Sequence, residues 1–343
     1  MPSTVTIRDI AQDSGVSRST VSLVLQDSPL VADETREKVK QSAKKLGYIY
    51  NRAAASLRGS KTGNFGLIVS SISNPYFAEV VTGVDQQISG QNKSLVLGQH
   101  EEDPLVQERL MNLMIEARVD GVMLVPAYGT NPEWLKSLQA HNFQILFLTR
   151  RFNGVNFPYF GADSQNAAYL ATEHLISHGA RKLMMIGGRS ESAPFQERKS
   201  GMLSAAKKRG IPSIAVTFHE ATPTQAGGYI ATKEAFQSRQ TEIGILAYND
   251  ITATGVIAAL RDLGISVGKD VPVIGIDDIE SSKYLIPALT TISNSPRQIG
   301  QAAAKFLVKS SSEFDDENKA VFSMQNHLVT RESCGCNSSG VQK

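Results

Sequence analysis

From Phe65 onward the chain alternates apolar segments with segments of helical periodicity, and this alternation limits the fold more than any other feature. Nearly continuous apolar segments predict strands that are buried on both faces. They lie at 65–70, 94–98, 121–125, 144–148, 182–186, 243–247 and 271–276. Helical patterns lie between them, near 76–90, 104–117, 132–141, 164–178, 196–210, 224–238 and 250–263. Because these units are too many for one compact sheet, the sequence predicts an α/β body of two doubly wound lobes with a cleft between them.

The first part of the chain has a different pattern, which is clearest in residues 6–25. Ile7 and Ile10 place apolar side chains on one helical face, and Gly15 suits the turn that ends this helix. Ser17 is a suitable N-cap for a second helix with a polar N-terminal end. Two helices joined by a short turn predict a helix-turn-helix that reads a DNA major groove. The alternative is an ordinary helical hairpin that only packs.

A third helix is predicted at 33–46, which completes a small all-α head. Residues 1–61 carry ten Lys or Arg and six Asp or Glu, a net charge of +4, whereas the whole chain carries +2. A basic head on a slightly acidic body suits a DNA-binding module on a body that does not bind DNA. Solvated helix faces also carry such lysines, so the charge supports this interpretation without establishing it.

Residues 51–60 form a short alanine-rich segment between head and body. Alanine favours helix, but an isolated helix of this length is unstable in water. The segment is either a linker or a hinge that becomes helical only on DNA. In the second case Leu57 is available as a wedge in the minor groove.

The sequence contains no phosphate-binding loop, no dinucleotide-binding glycine motif and no nucleophile elbow. His174 and His178 lie four residues apart on a predicted helix without a zinc-protease motif, so we expect surface or structural roles. Cys334 and Cys336 are expected in an inert exposed tail, with redox chemistry or metal binding as the alternatives. The sequence therefore predicts neither an enzyme nor a cofactor or metal site. Without a signal peptide or a membrane-length apolar stretch, a cytoplasmic protein is expected.

The ordered motifs of the chain resemble the LacI/GalR family of bacterial transcription regulators over about residues 5–332. In the head these motifs are TIRDIAQDSGVSRSTVSLVL, ETREKVKQSAKKLGY and the hinge ending in SLRG. In the body they are SNPYFAEV, HLISHGARKLMMIGG, FQERKSGM, AYNDITATG, GIDDIESSKYLIPALTTI and LVTRESC. The TVSLVL run and the SLRG hinge are most similar to the maltose-regulator (MalI) branch.

The resemblance implies a periplasmic-binding-protein-like effector domain whose two lobes exchange strands. The implied divisions are a helix-turn-helix DNA-binding domain at 1–50, a hinge at 51–61, an effector-binding and dimerisation domain at 62–333, and a polar tail at 334–343. One lobe, nearer DNA, is expected to combine 62–160 with 293–323, and the other 161–292 with 324–333.

The resemblance also implies which residues contact DNA. Arg18 and Ser19 are placed to reach base edges, and a bidentate Arg–guanine pair is worth about 1–3 kcal/mol of discrimination. Leu23 stands where many relatives carry Arg, which implies a different operator. The full set is Thr6, Ser17, Arg18, Ser19, Thr20, Ser22, Leu23, Asn51, Ala54, Leu57 and Arg58.

Eight residues fall on the family's ligand-contact motifs: Asn74, Pro75, Phe77, Thr149, Arg198, Asn249, Asp250 and Asp277. Arg198 has the least structural explanation and is the best single candidate, because a guanidinium can bind hydroxyls or a carboxylate. Asn74 and Pro75 also suit a simple helix start, and Asp250 suits an N-cap. Thr149, followed by Arg150, replaces an acidic residue of many relatives, which favours a more acidic ligand such as a phosphorylated or carboxylated sugar.

Together these observations predict a repressor of a carbohydrate-utilisation operon that acts as a homodimer on a near-palindromic double-stranded operator. A small sugar or sugar derivative is expected to bind between the lobes and to control operator affinity. No membrane partner is expected. A solute-binding protein for transport and an enzyme on doubly wound lobes are the alternatives.

Overall fold

The structure is a computed structural model. It describes residues 5–25, 28–49, 61–91, 93–139, 144–152, 154–237, 241–310 and 321–336. The chain divides into two compact units, Met1–Thr62 and Gly63–Lys343. Among the described helices, none combines the length and the apolar character that crossing a membrane requires.

The N-terminal unit contains three helices, α1 (Ile7–Ser14), α2 (Arg18–Leu25) and α3 (Asp33–Lys45). Gly15 ends α1 in the left-handed conformation, with φ of +71°, so the chain turns there at no steric cost. Ile10, Val21 and Val39 come from the three helices and are fully buried against one another. The small all-α head and its helix-turn-helix are therefore confirmed.

The second unit contains eight further helices among its described residues: α4 (Pro75–Ile88), α5 (Pro104–Glu116), α6 (Pro132–Leu138), α7 (Ser164–Ser177), α8 (Ala193–Lys208), α9 (Gln225–Ala235), α10 (Asp250–Asp262) and α11 (Pro296–Ser310). Its described strands are β1 (Asn64–Val69), β2 (Ser94–Gln99), β3 (Gly121–Leu124), β4 (Gln144–Leu148), β5 (Tyr159–Ala162), β6 (Lys182–Ile186), β7 (Val216–His219), β8 (Ile243–Ala247), β9 (Val273–Asp277), β10 (Thr290–Ser293), β11 (Val321–Met324) and β12 (His327–Val329). These elements confirm the predicted α/β class.

The strands form two six-stranded sheets, each the centre of one lobe. The first lobe has the order β11-β5-β4-β3-β1-β2, and all its strands are parallel. The second lobe has the order β12-β10-β9-β8-β6-β7, in which only β12 runs antiparallel to its neighbour. Both orders reverse beside their first strand, at β1 and β6, and in such sheets ligands bind beyond the carboxyl ends of the strands at this point.

Apolar residues from helices and strands fill both faces of each sheet. In the first lobe, Phe65 and Leu67 on β1 pack with Ile299 on α11. In the second lobe, Leu246 on β8 and Ile274 on β9 pack with Leu175 on α7. Since α11 and β11 follow β10 in sequence but belong to the first lobe, the chain crosses between the lobes three times, at 162–164, 293–296 and 324–327.

The sequence did not predict β5, β7, β10, β11, β12 or α11. All five of these strands are four residues or shorter, too short for a clear pattern. In β10, Thr290 and Thr291 are fully buried although they are polar, because their hydroxyls bond to Cys334 and Asp250. Burial of paired polar groups cannot be recognised from hydropathy.

The expectation of an exposed cysteine tail was wrong. Cys334 is only 1% exposed and belongs to the core of the second lobe, and Cys336 is half-buried beside it. The physical reason is that β12 pairs with β10 and carries the following residues onto the sheet.

Candidate DNA-reading helix and ligand cavity

The N-terminal end of α2 presents a small polar surface. The Ser17 hydroxyl oxygen accepts a hydrogen bond of 3.0 Å from the backbone N–H of Thr20, so Ser17 caps the helix. The same oxygen lies 2.6 Å from Ser19 Oγ. Arg18 and Ser19 are exposed, whereas Thr20 is half-buried. The two side chains predicted to reach base edges are therefore both accessible at the start of α2.

The other predicted contacts of the head have distinct environments. Ser22 and Leu23 are half-buried one turn along α2. Thr6 precedes α1, and its N–H and hydroxyl both donate to the Asp9 carboxylate, at 2.8 and 2.7 Å. These hydrogen bonds hold the pKa of Asp9 below its usual value. The predicted hinge contacts Asn51, Ala54, Leu57 and Arg58 lie outside the described residues.

A cavity of about 620 Å³ lies between the carboxyl ends of the two sheets of the second unit. The loops after β1, β2 and β4 contribute its wall in the first lobe, and the loops after β6, β7 and β8 contribute the wall in the second lobe. Six of the eight predicted ligand contacts line it: Asn74, Phe77, Thr149, Arg198, Asn249 and Asp277. Residues from distant parts of the sequence are thus brought together in one site.

Arg198 is a buried cation with incomplete hydrogen bonding. It lies on α8, is 7% exposed, and its Nη1 donates to the carbonyl of Tyr248. Its guanidinium carbon lies 4.2 Å from the centroid of the Tyr248 ring. Its Nε is buried and has no partner among the described residues. A buried donor without a partner is costly, so a ligand oxygen in the cavity would satisfy it.

Asp277 ends β9 and is also buried in the cavity wall. Burial raises the pKa of its carboxyl to about 8, although the nearby charge of Arg198 opposes this shift. Asn294 Nδ2 donates to Asp277 Oδ1 over 3.0 Å. At neutral pH this carboxyl therefore carries a proton much of the time and can both donate to and accept from a hydroxyl.

Asn74 and Asn249 line the cavity while they cap helices. Asn74 Oδ1 accepts from the N–H of Tyr76 over 3.0 Å at the start of α4. Asn249 Oδ1 accepts from the N–H of Thr252 over 2.9 Å at the start of α10. Because each amide oxygen is used by its cap, each side chain offers a ligand its NH₂ group as a donor.

Pro75 and Asp250 do not line the cavity, which corrects their prediction as ligand contacts. Pro75 is the first residue of α4, a position where its missing N–H costs nothing. Asp250 is fully buried beneath the site, where it accepts hydrogen bonds from the N–H of Ile279 and the hydroxyls of Ser282 and Thr291. The N-cap alternative for Asp250 was also wrong, because Asn249 caps α10.

Phe77 lines the cavity but presents little of its ring. It is 6% exposed and packs edge to face against Tyr76, with ring centroids 5.3 Å apart. Phe77 therefore offers little ring surface on which a sugar could stack.

The first lobe contributes an ion pair that the sequence did not reveal. Arg150 donates from Nη1 and Nη2 to the two carboxylate oxygens of Glu102, at 2.8 and 2.7 Å. Burial raises the pKa of Glu102, but the hydrogen bonds and charge of Arg150 outweigh it and hold that pKa below its usual value. Arg151 is exposed and does not line the cavity. The cation after Thr149 is therefore already paired with a carboxylate of the protein.

Three asparagines join the crossover segments to the cavity. Asn166 Nδ2 donates to Asn326 Oδ1 over 3.3 Å, and Asn326 Nδ2 donates to Asn294 Oδ1 over 2.8 Å. Asn294 then donates to Asp277. The second and third segments between the lobes, and the start of α7 just after the first, are thus linked through buried or half-buried amides to a carboxyl that lines the cavity.

Two family models match separate parts of the chain. Residues 6–51 match the family described as bacterial regulatory proteins, lacI family. Residues 172–334 match the periplasmic binding protein-like domain. The repressor named PurR from Photobacterium profundum, described as an HTH-type transcriptional repressor, is 32% identical over 337 residues, which cover 96% of this chain and 98% of the relative.

Solved structures match over the same length. The lac repressor dimer bound to operator and the anti-inducer ONPF has a TM-score of 0.83 at 25% identity, covering 97% of this chain and 99% of that one. The complex of the transcriptional regulator CelR with cellobiose has a TM-score of 0.71 at 26% identity, covering 96% and 99%. Both likenesses therefore extend over nearly the whole of this chain, the N-terminal unit included.

Proposed function

The chain belongs to the lacI family of bacterial regulatory proteins, and from this membership we propose how its ligand cavity controls its DNA-binding head. The protein is a DNA-binding transcriptional regulator of the repressor type, which acts as a dimer on operator DNA and responds to a small-molecule effector. The maltose-regulator branch remains a prediction.

We propose that the effector is an uncharged sugar or a similar polyhydroxylated molecule. The observation that carries this proposal is the pairing of an unsatisfied donor, Arg198 Nε, with the protonatable carboxyl of Asp277 in one cavity wall. Sugar hydroxyls both donate and accept, so they suit this pair. Two of the three arginines in the cavity lining, Arg150 and Arg189, already lie against carboxylates of the protein. The likeness to a regulator solved with cellobiose supports the same ligand class.

We propose that effector binding changes the angle between the lobes and thereby weakens operator binding. A ligand that contacts Arg198 and Asp277 from one wall and Asn74 from the other interacts differently with the open and closed arrangements. Such a coupling is typically about 1–3 kcal/mol, or roughly 5- to 150-fold in operator affinity. The change would reach the hinge through the crossover segments.

We propose that Arg18 and Ser19 read bases, while Ser17, Thr20 and Ser22 contact phosphates. The exposed position of Arg18 at the N-terminal end of a recognition helix supports base readout. Arg18→Ala should relax preference at one operator position by about 1–3 kcal/mol, whereas Ser22→Ala should weaken binding evenly across sequences. DNA contacts are also proposed for Thr6 and Leu23 in the head and for Asn51, Ala54 and Arg58 in the hinge, and Leu57 is proposed as the wedge in the minor groove.

We propose that the protein acts in the cytoplasm and catalyses no reaction, as expected for a repressor of bacterial operons. The relatives over nearly its whole length are transcriptional regulators. Turnover of a sugar by the purified protein would contradict this part of the proposal.

The deciding experiment is selection of operator sites from random DNA by the full-length dimer, repeated with a panel of sugars and sugar phosphates. We expect a near-palindromic site whose affinity falls in the presence of one neutral sugar. No preference for a palindromic site over random DNA across a salt series would overturn the regulator. A palindromic site that responds only to a sugar phosphate would overturn the neutral effector alone.

A further inference from the structure

A second cluster of polar side chains lies away from the cavity, where the end of α7 meets the chain after β12. His174 lies in the last turn of α7 and His178 is its C-cap residue. Cys334 and Cys336 follow β12. Each residue offers one nitrogen or sulfur atom, and these four atoms lie within 4.8 Å of one another. We propose that His174, His178, Cys334 and Cys336 bind one structural zinc ion.

The distances fit a tetrahedral centre. Zinc bonds of about 2.3 Å to sulfur and about 2.0 Å to nitrogen place neighbouring ligand atoms about 3.3–3.8 Å apart. Cys336 Sγ lies 3.2 Å from His178 Nε2 and 3.6 Å from His174 Nε2. The two imidazole rings, four residues apart on one helix face, have centroids 4.5 Å apart. Small side-chain movements therefore close the site around an ion.

The backbone between the cysteines is already arranged for this role. Gly335 has a φ of +88°, which only glycine adopts without strain, and its N–H donates to the Glu332 carbonyl over 2.9 Å. The segment is fixed to the sheet by Ser333, whose hydroxyl donates to the Val273 carbonyl over 2.6 Å. Both sulfur atoms are thereby held beside the same helix end.

The environment of the buried sulfur also suits a metal ligand. The Thr290 hydroxyl donates to Cys334 Sγ over 3.2 Å, a contact that orients a ligating sulfur and stabilises its thiolate form. Two thiolates and two imidazoles select zinc over magnesium or calcium, which prefer oxygen ligands. With four protein ligands the coordination shell is complete, so the ion is structural.

A bound ion would tie two parts of the second lobe that are distant in sequence. Cys334 and Cys336 follow the third crossover segment, and α7 follows the first. The ion would thus fasten the C-terminal end of the effector domain to the helix that begins the second lobe. Binding only to the folded state should raise the melting temperature by at least about 2–4 °C in saturating metal.

The test uses the full-length protein, prepared without a histidine tag, reduced and freed of metal with a chelator. Cobalt(II) is the spectroscopic probe, because tetrahedral thiolate coordination gives intense ligand-field bands and a sulfur-to-cobalt charge-transfer band. We expect one cobalt ion per chain and complete displacement by one equivalent of zinc. Cys336→Ser and His178→Gln should each lower zinc affinity at least about tenfold, in the range of ligand or outer-shell changes.

His327→Gln is the matched control, since His327 is an exposed histidine on β12 and is not part of the cluster. It should bind metal as the unaltered chain does. Cys336 is half-buried and His178 is exposed, so replacing either should leave the fold intact. Operator binding by the two variants serves as the check on folding.

Three outcomes would overturn the proposal: less than one cobalt ion per chain, a spectrum of octahedral coordination without sulfur, or unchanged affinity in the two variants. The cobalt spectrum of the unaltered chain is decisive even if a variant fails to fold. None of these outcomes depends on the identity of the sugar or of the operator.

Discussion

Arg150 and Arg198 line the same cavity from different lobes and are alike in most respects. Both are largely buried: the Arg150 side chain is 12% exposed, and the whole Arg198 residue is 7% exposed. Each guanidinium carbon lies over a tyrosine ring, 4.1 Å from the centroid of Tyr128 and 4.2 Å from that of Tyr248. Only their hydrogen-bond partners distinguish them.

Arg150 donates two hydrogen bonds to Glu102 and one of 3.0 Å to the Pro126 carbonyl. Arg198 keeps a buried Nε without a partner among the described residues. The first arginine therefore holds a wall of the cavity together, whereas the second is prepared for a ligand. A cation in a cavity is identified as a ligand contact by the donors that its neighbours leave unused.

The largest effect should come from removing the paired arginine. Arg150→Met leaves the Glu102 carboxylate in a half-buried position without its counter-charge, so the free energy of unfolding should fall by about 3 kcal/mol. Urea denaturation of the variant and of the double variant Glu102→Gln/Arg150→Met measures this. The double variant should recover most of the loss, because no buried charge remains. If the single variant were as stable as the unaltered chain, Arg150 would not stabilise the cavity wall and would not differ from Arg198 in this way.

Arg198→Met should instead affect ligand binding more than folding. One or two charge-assisted hydrogen bonds are lost, so the dissociation constant of the effector should rise about 10- to 100-fold. Operator affinity without effector should stay unchanged. Calorimetric titration with the selected sugar and operator binding on the same preparation measure both. Lys199→Met, the neighbouring cation outside the cavity lining, is the matched control. An unaltered effector response in Arg198→Met would contradict its role.

The sequence predicted the lobes and Arg198 because both depend on local pattern: continuous apolar strands, and a motif around one residue. It did not predict the partners. Glu102 meets Arg150 across 48 positions, a pairing set by the order of β2, β3 and β4 in the sheet. Asp250 was misassigned for the same reason, since its acceptors are used by residues from 29 to 41 positions away.

The histidine and cysteine pairs show the same limit. Each pair is visible in the sequence, but their meeting requires β12 to lie beside β10 and α7 to pack on that sheet. Tertiary packing decides which polar groups are paired, and pairing decides which of them can act.

Asp277, the neighbour of Arg198, should make the stability of the protein depend on pH. Its pKa is raised to about 8 by burial, against an ordinary value of 3.8, so the folded chain holds a proton that the unfolded chain releases. Stability from this group is complete below about pH 4 and is lost as the pH rises toward 8. Asp250 has a pKa raised to about 6, so it makes the stability fall with rising pH only below about pH 6. The window from pH 6 to 8 therefore separates the slope of Asp277 from that of Asp250.

Asp277→Asn should remove a slope of at most about 1.4 kcal/mol per pH unit from the stability profile in this window. Urea denaturation at several pH values, with the unaltered chain in parallel, gives the difference. Two profiles that run parallel from pH 6 to 8 would show that the carboxyl is ionised in the folded protein. Arg198 and Asp277 would then form an ordinary ion pair like that of Arg150 and Glu102.

The smallest effect, on the coupling between effector and operator, is expected at Asn326 in the third crossover segment. Its amide bridges Asn166 and Asn294. Through Asn294 it connects the third crossover segment to Asp277. Asn326→Ala should leave effector binding within about threefold but reduce the effector-induced loss of operator affinity by about 0.5–2 kcal/mol. Asn166→Ala, at the outer end with one bond of 3.3 Å, should have a weaker effect. Full release of operator by effector in Asn326→Ala would show that coupling does not pass through these amides. It would then have to travel through the packing of the lobes themselves.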